Sequence, residues 1–120
     1  MNSEAKKMVG IVVDAIQDKK GSEIVVADLS QIEGAICSYF VICQGNTPIQ
    51  VEAIARSVGD RLRNDLQTKP IAVEGLRNAR WVAIDYVDVM VHIFVPEERN
   101  FYSLETLWAD AVLTQIPNIT

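Results

Sequence analysis

The sequence predicts an α/β (α+β) domain in which helices pack on a mixed five-stranded sheet. Three observations predict this fold class. Apolar residues recur at helical spacing near both ends of the chain and again after Pro48. Between these segments lie short apolar or alternating stretches of strand length, bounded by Gly, Pro and Asn. The 120 residues are 49% hydrophobic and 22% charged, which fits one buried core, so a single domain is expected over residues 1–120.

Each element follows from its local pattern. A first helix over residues 4–20 carries an apolar stripe, and a second begins with Thr47 as its cap and Pro48 in its first turn. A final helix is predicted from residue 103 to about residue 114. The predicted strands cover residues 24–29, 35–44 and 71–74 and two adjacent stretches within 80–95. The resulting order is α-β-β-α-β-β-β-α.

The two adjacent strands within residues 80–95 are the most informative segment. If Tyr86 and Val87 form their connection, one face is aliphatic and the other carries three cross-strand pairs. These pairs are Asp85 with Asp88, Ala83 with Met90, and Trp81 with His92. Two facing carboxylates repel each other and are costly to bury without a cation, so this face is predicted to meet a cationic partner. The alternative is that Trp81 covers the sheet beneath the last helix.

Charge placement indicates the same kind of partner. Residues 74–110 hold seven acids against three arginines and so contribute −4 of the net charge of −5. A sequence pI near 4.7 argues against direct binding of nucleic-acid phosphates, which requires clustered Lys and Arg. An acidic face instead attracts a basic protein.

Several other classes of site are weakly supported. Cys37 and Cys43 are predicted to lie in one strand, roughly 20 Å apart, which forbids a bridge and favours buried free thiols rather than a nucleophile. His92 is too far along its strand from Asp88 to share a metal ion with it, so no metal or cofactor is expected. The sequence has no signal peptide and no membrane-spanning run, which predicts a cytoplasmic protein without membrane contact.

The junction between strand and helix at Gly45, Asn46 and Thr47 leaves two alternatives open. Backbone amides there could hold a phosphate, which would make the chain a nucleotide-binding or nucleotidyltransferase-like enzyme. The junction lacks both a Walker lysine and a GxGxxG pattern, so a turn followed by a helix cap is the favoured interpretation.

Several ordered blocks resemble the bacterial ribosomal silencing factor family, also called Iojap. They span roughly residues 5–113 and comprise SYFVICQGNT (38–47), QVEAIA (50–55), VEG (73–75), W-x-x-x-DY (81–86), DVMVHIF (88–94) and FYSLETLWADA (101–111). The resemblance implies a fold related to nucleotidyltransferases without their catalytic residues. In agreement, Gly45 and Asn46 precede a helix that lacks Asp-x-Asp, so the protein is not expected to be an enzyme. The family usually has glycine at Val87 and an acid at Ser38.

The resemblance also implies a partner and a mode of action. Family members bind a basic protein on the intersubunit face of the large ribosomal subunit. The acidic charge of this chain fits such a contact and predicts little direct contact with nucleic acid. Family members sterically block subunit joining and so lower translation under nutrient limitation, and a homodimer is a further expectation. The contact set inferred for this chain comprises Trp81 and Met90 as apolar anchors, Glu74, Asp85 and Asp88 as partners for cations, and Tyr86 and His92 at the rim.

Overall fold

Two helices and six strands make up the part of the chain that the computed structural model describes, which is residues 3–32, 34, 37–97 and 112–118. The elements in chain order are α1 (Ser3–Asp18), β1 (Ser22–Asp28), β2 (Tyr39–Gln44), α2 (Pro48–Leu66), β3 (Ala72–Glu74), β4 (Trp81–Asp85), β5 (Val89–Phe94) and β6 (Val112–Ile116). The predicted class, a mixed sheet packed with helices, is confirmed.

The sheet has the strand order β3-β4-β5-β2-β1-β6. The pairing of β2 with β5 is parallel, and the other four pairings are antiparallel. The prediction of five strands was wrong by one, because β6 pairs with β1 from Ile24 opposite Ile116 to Asp28 opposite Val112.

The predicted last helix ran too far. Its residues 103–111 lie outside the described part of the chain, but residues 112–114 belong to β6 rather than to a helix. Val112 and Thr114 are β-branched and favour extended backbone, and β1 offers them an edge to pair with. That edge is far away in sequence, so the local periodicity could not indicate it.

The N-terminus of α2 forms as its sequence predicts. Thr47 is the cap, and its Oγ1 accepts a hydrogen bond from the Gln50 backbone N at 3.1 Å. The Gln50 side chain accepts from the Asn46 backbone N at 2.7 Å and donates to the carbonyls of Lys19 and Lys20, at 3.0 Å each. Gln50 therefore ties the start of α2 to the end of α1.

The two described helices pack on one face of the sheet. Their apolar stripes meet the aliphatic side chains of β2, β4 and β5 in the larger core cluster, which includes Val12, Ile54, Leu62, Val82 and Ile93. A smaller cluster lies on the other face; its members are Ala27, Leu29, Cys37, Phe40, Ile42 and Phe94, with Ile32, Trp81 and Met90 packed against it. Cys37 and Cys43 are buried and no disulfide joins them, as predicted. Neither described helix is long and apolar enough to cross a membrane.

The register of the β4–β5 hairpin differs from the predicted one by two residues. Asp85 lies opposite Met90, Ala83 opposite His92 and Trp81 opposite Phe94, so all three predicted pairs were wrong. The reason is the position of the turn. The Tyr86 backbone N donates to the Val89 carbonyl at 2.9 Å, which leaves Val87 and Asp88, rather than Tyr86 and Val87, as the connecting residues.

Val87 has an unusual backbone conformation at this turn. Its φ is 76°, and the Asp88 backbone N donates to the Tyr86 carbonyl at 2.9 Å, as in a classic γ-turn. The Asp85 Oδ1 stabilises the turn by accepting from the Val87 backbone N at 2.8 Å. A β-branched residue is poorly suited to positive φ, so local hydrogen bonding imposes the turn on an unfavourable side chain.

Replacing Val87 by glycine is therefore expected to raise the free energy of unfolding by about 1 kcal/mol. Relief of about 1–3 kcal/mol of backbone strain exceeds the cost of about 0.4–1 kcal/mol from the more flexible unfolded chain. The Val87 side chain is 55% exposed, so little packing is lost. Urea denaturation measures the change, with Val87→Ala as a control that keeps a Cβ at positive φ. A Val87→Gly variant less stable than Val87→Ala would contradict the strain argument.

Candidate functional site

Five of the seven predicted contact residues share the sheet face opposite the two described helices. β-strand alternation places Trp81, Ala83 and Asp85 together on this face. Glu74 joins them because it lies opposite Ala83 in the β3–β4 pairing. The members of the predicted set on this surface, named here the Trp81 face, are Glu74, Trp81, Asp85, Met90 and His92.

The acids of this region do not form the predicted facing pair. Asp85 is half-buried and uses one carboxylate oxygen to hold the turn, whereas Asp88 is exposed within the turn itself. Glu74 is exposed on β3, two strands from β5. The repulsion argument from facing carboxylates therefore does not apply. Acids still accompany the partly exposed apolar side chains, because Asp85 lies opposite Met90 and Glu74 lies opposite Ala83, two residues from Trp81.

A hydrogen bond joins Trp81 to His92. The indole Nε1 donates to the imidazole Nδ1 at 2.8 Å, between residues that are diagonal rather than directly opposite in the hairpin. The imidazole also stacks on Phe40, with ring centroids 4.4 Å apart, and the indole stacks on Phe94 at 5.2 Å. His92 is thus packed among aromatic rings, and its hydrogen bond fixes the orientation of the Trp81 indole.

His92 was predicted at the rim of the site, and that placement was wrong. Only 6% of the residue is exposed, and burial lowers the pKa of His92 to about 4. The imidazole is therefore neutral at pH 7. Because Nδ1 accepts from Trp81, the proton resides on Nε2, which is buried and finds no hydrogen-bond partner among the described residues.

Tyr86 was also predicted at the rim, and it too lies elsewhere. It points toward α2, in the larger core cluster, and is 4% exposed. Burial raises the pKa of Tyr86 to about 12. Its hydroxyl has no hydrogen-bond partner within the described ranges. The displaced turn accounts for this position, because Tyr86 continues the alternation of β4 instead of belonging to the loop.

Removing that hydroxyl in the variant Tyr86→Phe is expected to raise the free energy of unfolding by about 1 kcal/mol, because an unpaired buried hydroxyl carries an uncompensated desolvation penalty. Thermal and urea denaturation test this. Tyr39→Phe is the matched control, since the Tyr39 hydroxyl is not among the buried unpaired groups of the described chain. A Tyr86→Phe variant that is destabilised relative to Tyr39→Phe would show that the hydroxyl makes a stabilising bond.

The Gly45–Thr47 junction is occupied by its own hydrogen bonds. The Gly45 backbone N donates to the Phe94 carbonyl at 2.9 Å, and the Asn46 backbone N donates to Gln50. Two amides that could have met a phosphate are thus already used, which supports the interpretation as a helix cap. Within the described residues, no group of three His, Cys, Asp or Glu side chains could hold a metal ion.

Phe40 and Phe94 are parts of the site that the sequence did not indicate. They support His92 and Trp81, and Phe40 lies opposite Met90 through the parallel pairing of β2 with β5. A parallel pairing links segments distant in sequence, so the apolar character of both phenylalanines pointed only to burial. The assembled surface carries carboxylates together with partly exposed indole and thioether groups, a composition suited to a basic protein surface.

Two crystal structures share this fold. One, of a protein from Chromobacterium violaceum, superimposes with a TM-score of 0.82 at 29% identity, covering 87% of this chain and 85% of that one. The other, of a protein from Bacillus halodurans, gives a TM-score of 0.76 at 33% identity, covering 96% and 98%. The fold thus defines the class as small proteins in which helices pack on a mixed sheet.

Sequence comparison narrows the class to one family. Residues 2–120 match the family described as "Ribosomal silencing factor during starvation". Ribosomal silencing factor RsfS of Bacillus subtilis is 41% identical over 112 residues, covering 92% of each chain. The chloroplastic protein Iojap of Zea mays is 30% identical over 82 residues, covering 66% of this chain and 34% of that protein. The chain belongs to the RsfS family of ribosomal silencing factors, and the resemblance found in its sequence is confirmed.

Proposed function

We propose that this protein acts in the cytoplasm as a non-enzymatic translation repressor that binds the large ribosomal subunit through a basic ribosomal protein. Membership of the RsfS family supports association with the ribosome. The observation that carries the finer proposal is the Trp81 face with Asp88 in the adjoining turn, where Asp85 lies opposite Met90 and Glu74 lies opposite Ala83, two residues from Trp81.

Charge supports a protein contact rather than an RNA contact. The chain has 16 acids against 11 Lys and Arg residues, and RNA phosphates would be repelled by the acids of the Trp81 face. Exposed Lys and Arg side chains of a ribosomal protein would meet the same carboxylates favourably, while the indole and thioether supply apolar contact. His92 is buried and Tyr86 faces the helix side of the sheet, so neither belongs to this contact surface. The role of His92 in the proposal is to orient Trp81 through their hydrogen bond.

Inhibition of subunit joining then requires only the steric bulk of the bound domain. A domain bound on the intersubunit face occupies space that the small subunit needs, so joining is blocked without any covalent step. The amides of Gly45 and Asn46 are already engaged, which gives no support to the alternative of a nucleotide-dependent enzyme.

Co-sedimentation with purified large subunits tests the binding step. The protein is expected to pellet with large subunits, and an excess of competitor RNA is expected to leave the bound fraction unchanged. Small subunits serve as the control and should pellet none of it. Release of the protein by competitor RNA, or equal binding to both subunits, would contradict docking on a large-subunit protein.

A further inference from the structure

An apolar pocket opens on the helix side of the sheet, where α2 passes the edge formed by β3. Its volume is about 100 Å³. The residues that line it are Ala55, Arg56, Gly59, Pro70, Val73, Leu76, Ile84 and Tyr86. Pockets for nucleotides and coenzymes usually exceed about 300 Å³, so this pocket is the size of one aliphatic side chain.

Gly59 keeps the pocket open. It lies in the interior of α2, where glycine lowers helix stability relative to alanine. A Cβ built on Gly59 would have no heavy atom within 4 Å, so no close packing explains the glycine. The space that a side chain would occupy is instead left as pocket.

Tyr86 forms part of the apolar wall of the pocket. Its ring lines the pocket, and its buried hydroxyl has no hydrogen-bond partner in the described part of the chain. Apolar side chains continue around the opening: Val73 is 40% exposed and Leu76 is 44% exposed. The pocket and its surroundings thus form a continuous apolar surface.

Among the described strands, β3 is the outermost on this side of the sheet, and all three of its residues are exposed. An edge strand can accept an extended peptide as an additional strand. Val73 lies opposite Ile84 and faces the pocket, whereas Glu74 lies opposite Ala83 and faces the Trp81 side. A strand added beside β3 would alternate in the same way, with every second side chain directed to each face.

We propose that the β3 edge binds one extended segment of the basic partner, carrying a basic, an aliphatic and a basic residue in succession. The aliphatic side chain fills the Gly59 pocket. The two basic side chains lie on the Trp81 face, one beside Glu74 and the other reaching over the small side chain of Ala72 to Asp85, which lies opposite Ala72. This inference rests on the proposed function and specifies how the partner is recognised.

Charge and size together select this occupant. Only a segment of alternating character satisfies both faces, because the pocket side is apolar and the Trp81 side presents carboxylates. A purely basic segment would leave the pocket empty, and a purely apolar one would desolvate Glu74 and Asp85 without compensation. Strand pairing contributes only a few backbone hydrogen bonds across three residues, so the filled pocket decides the affinity.

Two short peptides of identical composition test the proposal: acetyl-Thr-Lys-Leu-Lys-Thr-amide, which alternates, and acetyl-Thr-Lys-Lys-Leu-Thr-amide, which does not. NMR titration into the full chain follows the backbone amides of Ala72–Glu74 and the methyl groups of Val73 and Leu76. The alternating peptide is expected to shift these signals and to bind about tenfold more tightly than the other. Equal affinities, or no shifts with either peptide, would overturn the proposal.

Filling the pocket supplies the second test. Gly59→Leu is expected to weaken binding of the alternating peptide about tenfold, while Gly59→Ala changes it by less than about threefold. Val73→Asp, at an exposed position, is expected to weaken binding similarly and replaces Gly59→Leu if that variant does not fold. Undiminished binding by these variants would overturn the pocket assignment. Binding of the wild-type protein to the large subunit distinguishes this inference from the proposed function. If the protein binds the subunit but neither peptide binds the protein, only the inference about the β3 edge is overturned.

Discussion

The double variant Glu74→Lys/Asp88→Lys is expected to bind the large ribosomal subunit about 100-fold more weakly than the wild-type protein. Both side chains are exposed, so their replacement leaves the core intact. Each reversal turns an attraction to a partner cation into a repulsion, and like charges brought together at an interface cost several kcal/mol. Quantitative co-sedimentation across a range of protein concentrations measures the change.

A matched control separates local from overall charge. Glu4→Lys/Asp60→Lys alters the net charge by the same amount at two exposed positions on the helices, which pack on the opposite side of the sheet. This control is expected to bind within about threefold of wild type, since screening limits long-range effects to about 10 Å. Equal weakening of the two double variants would mean that the Trp81 face and its adjoining turn are not the contact surface.

Acidification from pH 7 to pH 4.5 is expected to lower the free energy of unfolding by about 2–3 kcal/mol through His92 alone. Burial lowers the pKa of His92 in the folded protein to about 4, against 6.5 for the free side chain. The unfolded chain therefore takes up the proton first. Stability is fully present above pH 6.5 and is lost as the pH falls from there toward 4. Protonation would also remove the acceptor on Nδ1 and break the bond from Trp81.

His92 is the only histidine in the chain, so the assignment can be tested cleanly. His92→Gln does not titrate and keeps a side-chain acceptor for the Trp81 indole. Urea denaturation at several pH values should show the loss between pH 6.5 and 4.5 in the wild type and its absence in His92→Gln. Carboxylates such as Asp28, whose pKa is lowered by hydrogen bonds from Ser30, contribute in both proteins and cancel in the comparison. Parallel pH profiles would show that His92 titrates normally.

Local signals predicted much of this fold. Thr47, Pro48 and Gln50 are adjacent in sequence and dictate the start of α2 through the bonds that they make with one another. The alternation of β4 and β5 likewise follows from residues within each strand. These elements could be predicted because the interactions that define them span only a few residues.

The predictions that failed depend on contacts between distant segments or on strain. β6 exists because it pairs with β1, which lies more than eighty residues earlier in the chain. The hairpin register depends on Val87 adopting positive φ, which its side chain disfavours. His92 is buried because the parallel β2–β5 pairing brings Phe40 against its ring. In each case, residue preferences alone favoured a different arrangement.

Trp81 is packed against core residues and partly exposed at the same time. Stacking on Phe94 and the hydrogen bond to His92 make it part of the smaller core cluster, yet it remains partly exposed. Such a side chain is held rigid before a partner arrives, which reduces the entropy lost on binding. We infer that the aromatic support beneath Trp81 exists to present the indole in one fixed orientation.

A subunit-joining assay tests the central claim most directly. Purified large and small subunits are mixed with increasing amounts of the protein, and joined ribosomes are measured by sucrose-gradient sedimentation, with Glu74→Lys/Asp88→Lys as the inactive comparison. The wild-type protein is expected to reduce joined ribosomes progressively to a low plateau, whereas the double variant leaves them unchanged at the same concentrations. Full joining in the presence of saturating wild-type protein would contradict the proposal that the bound domain blocks the small subunit.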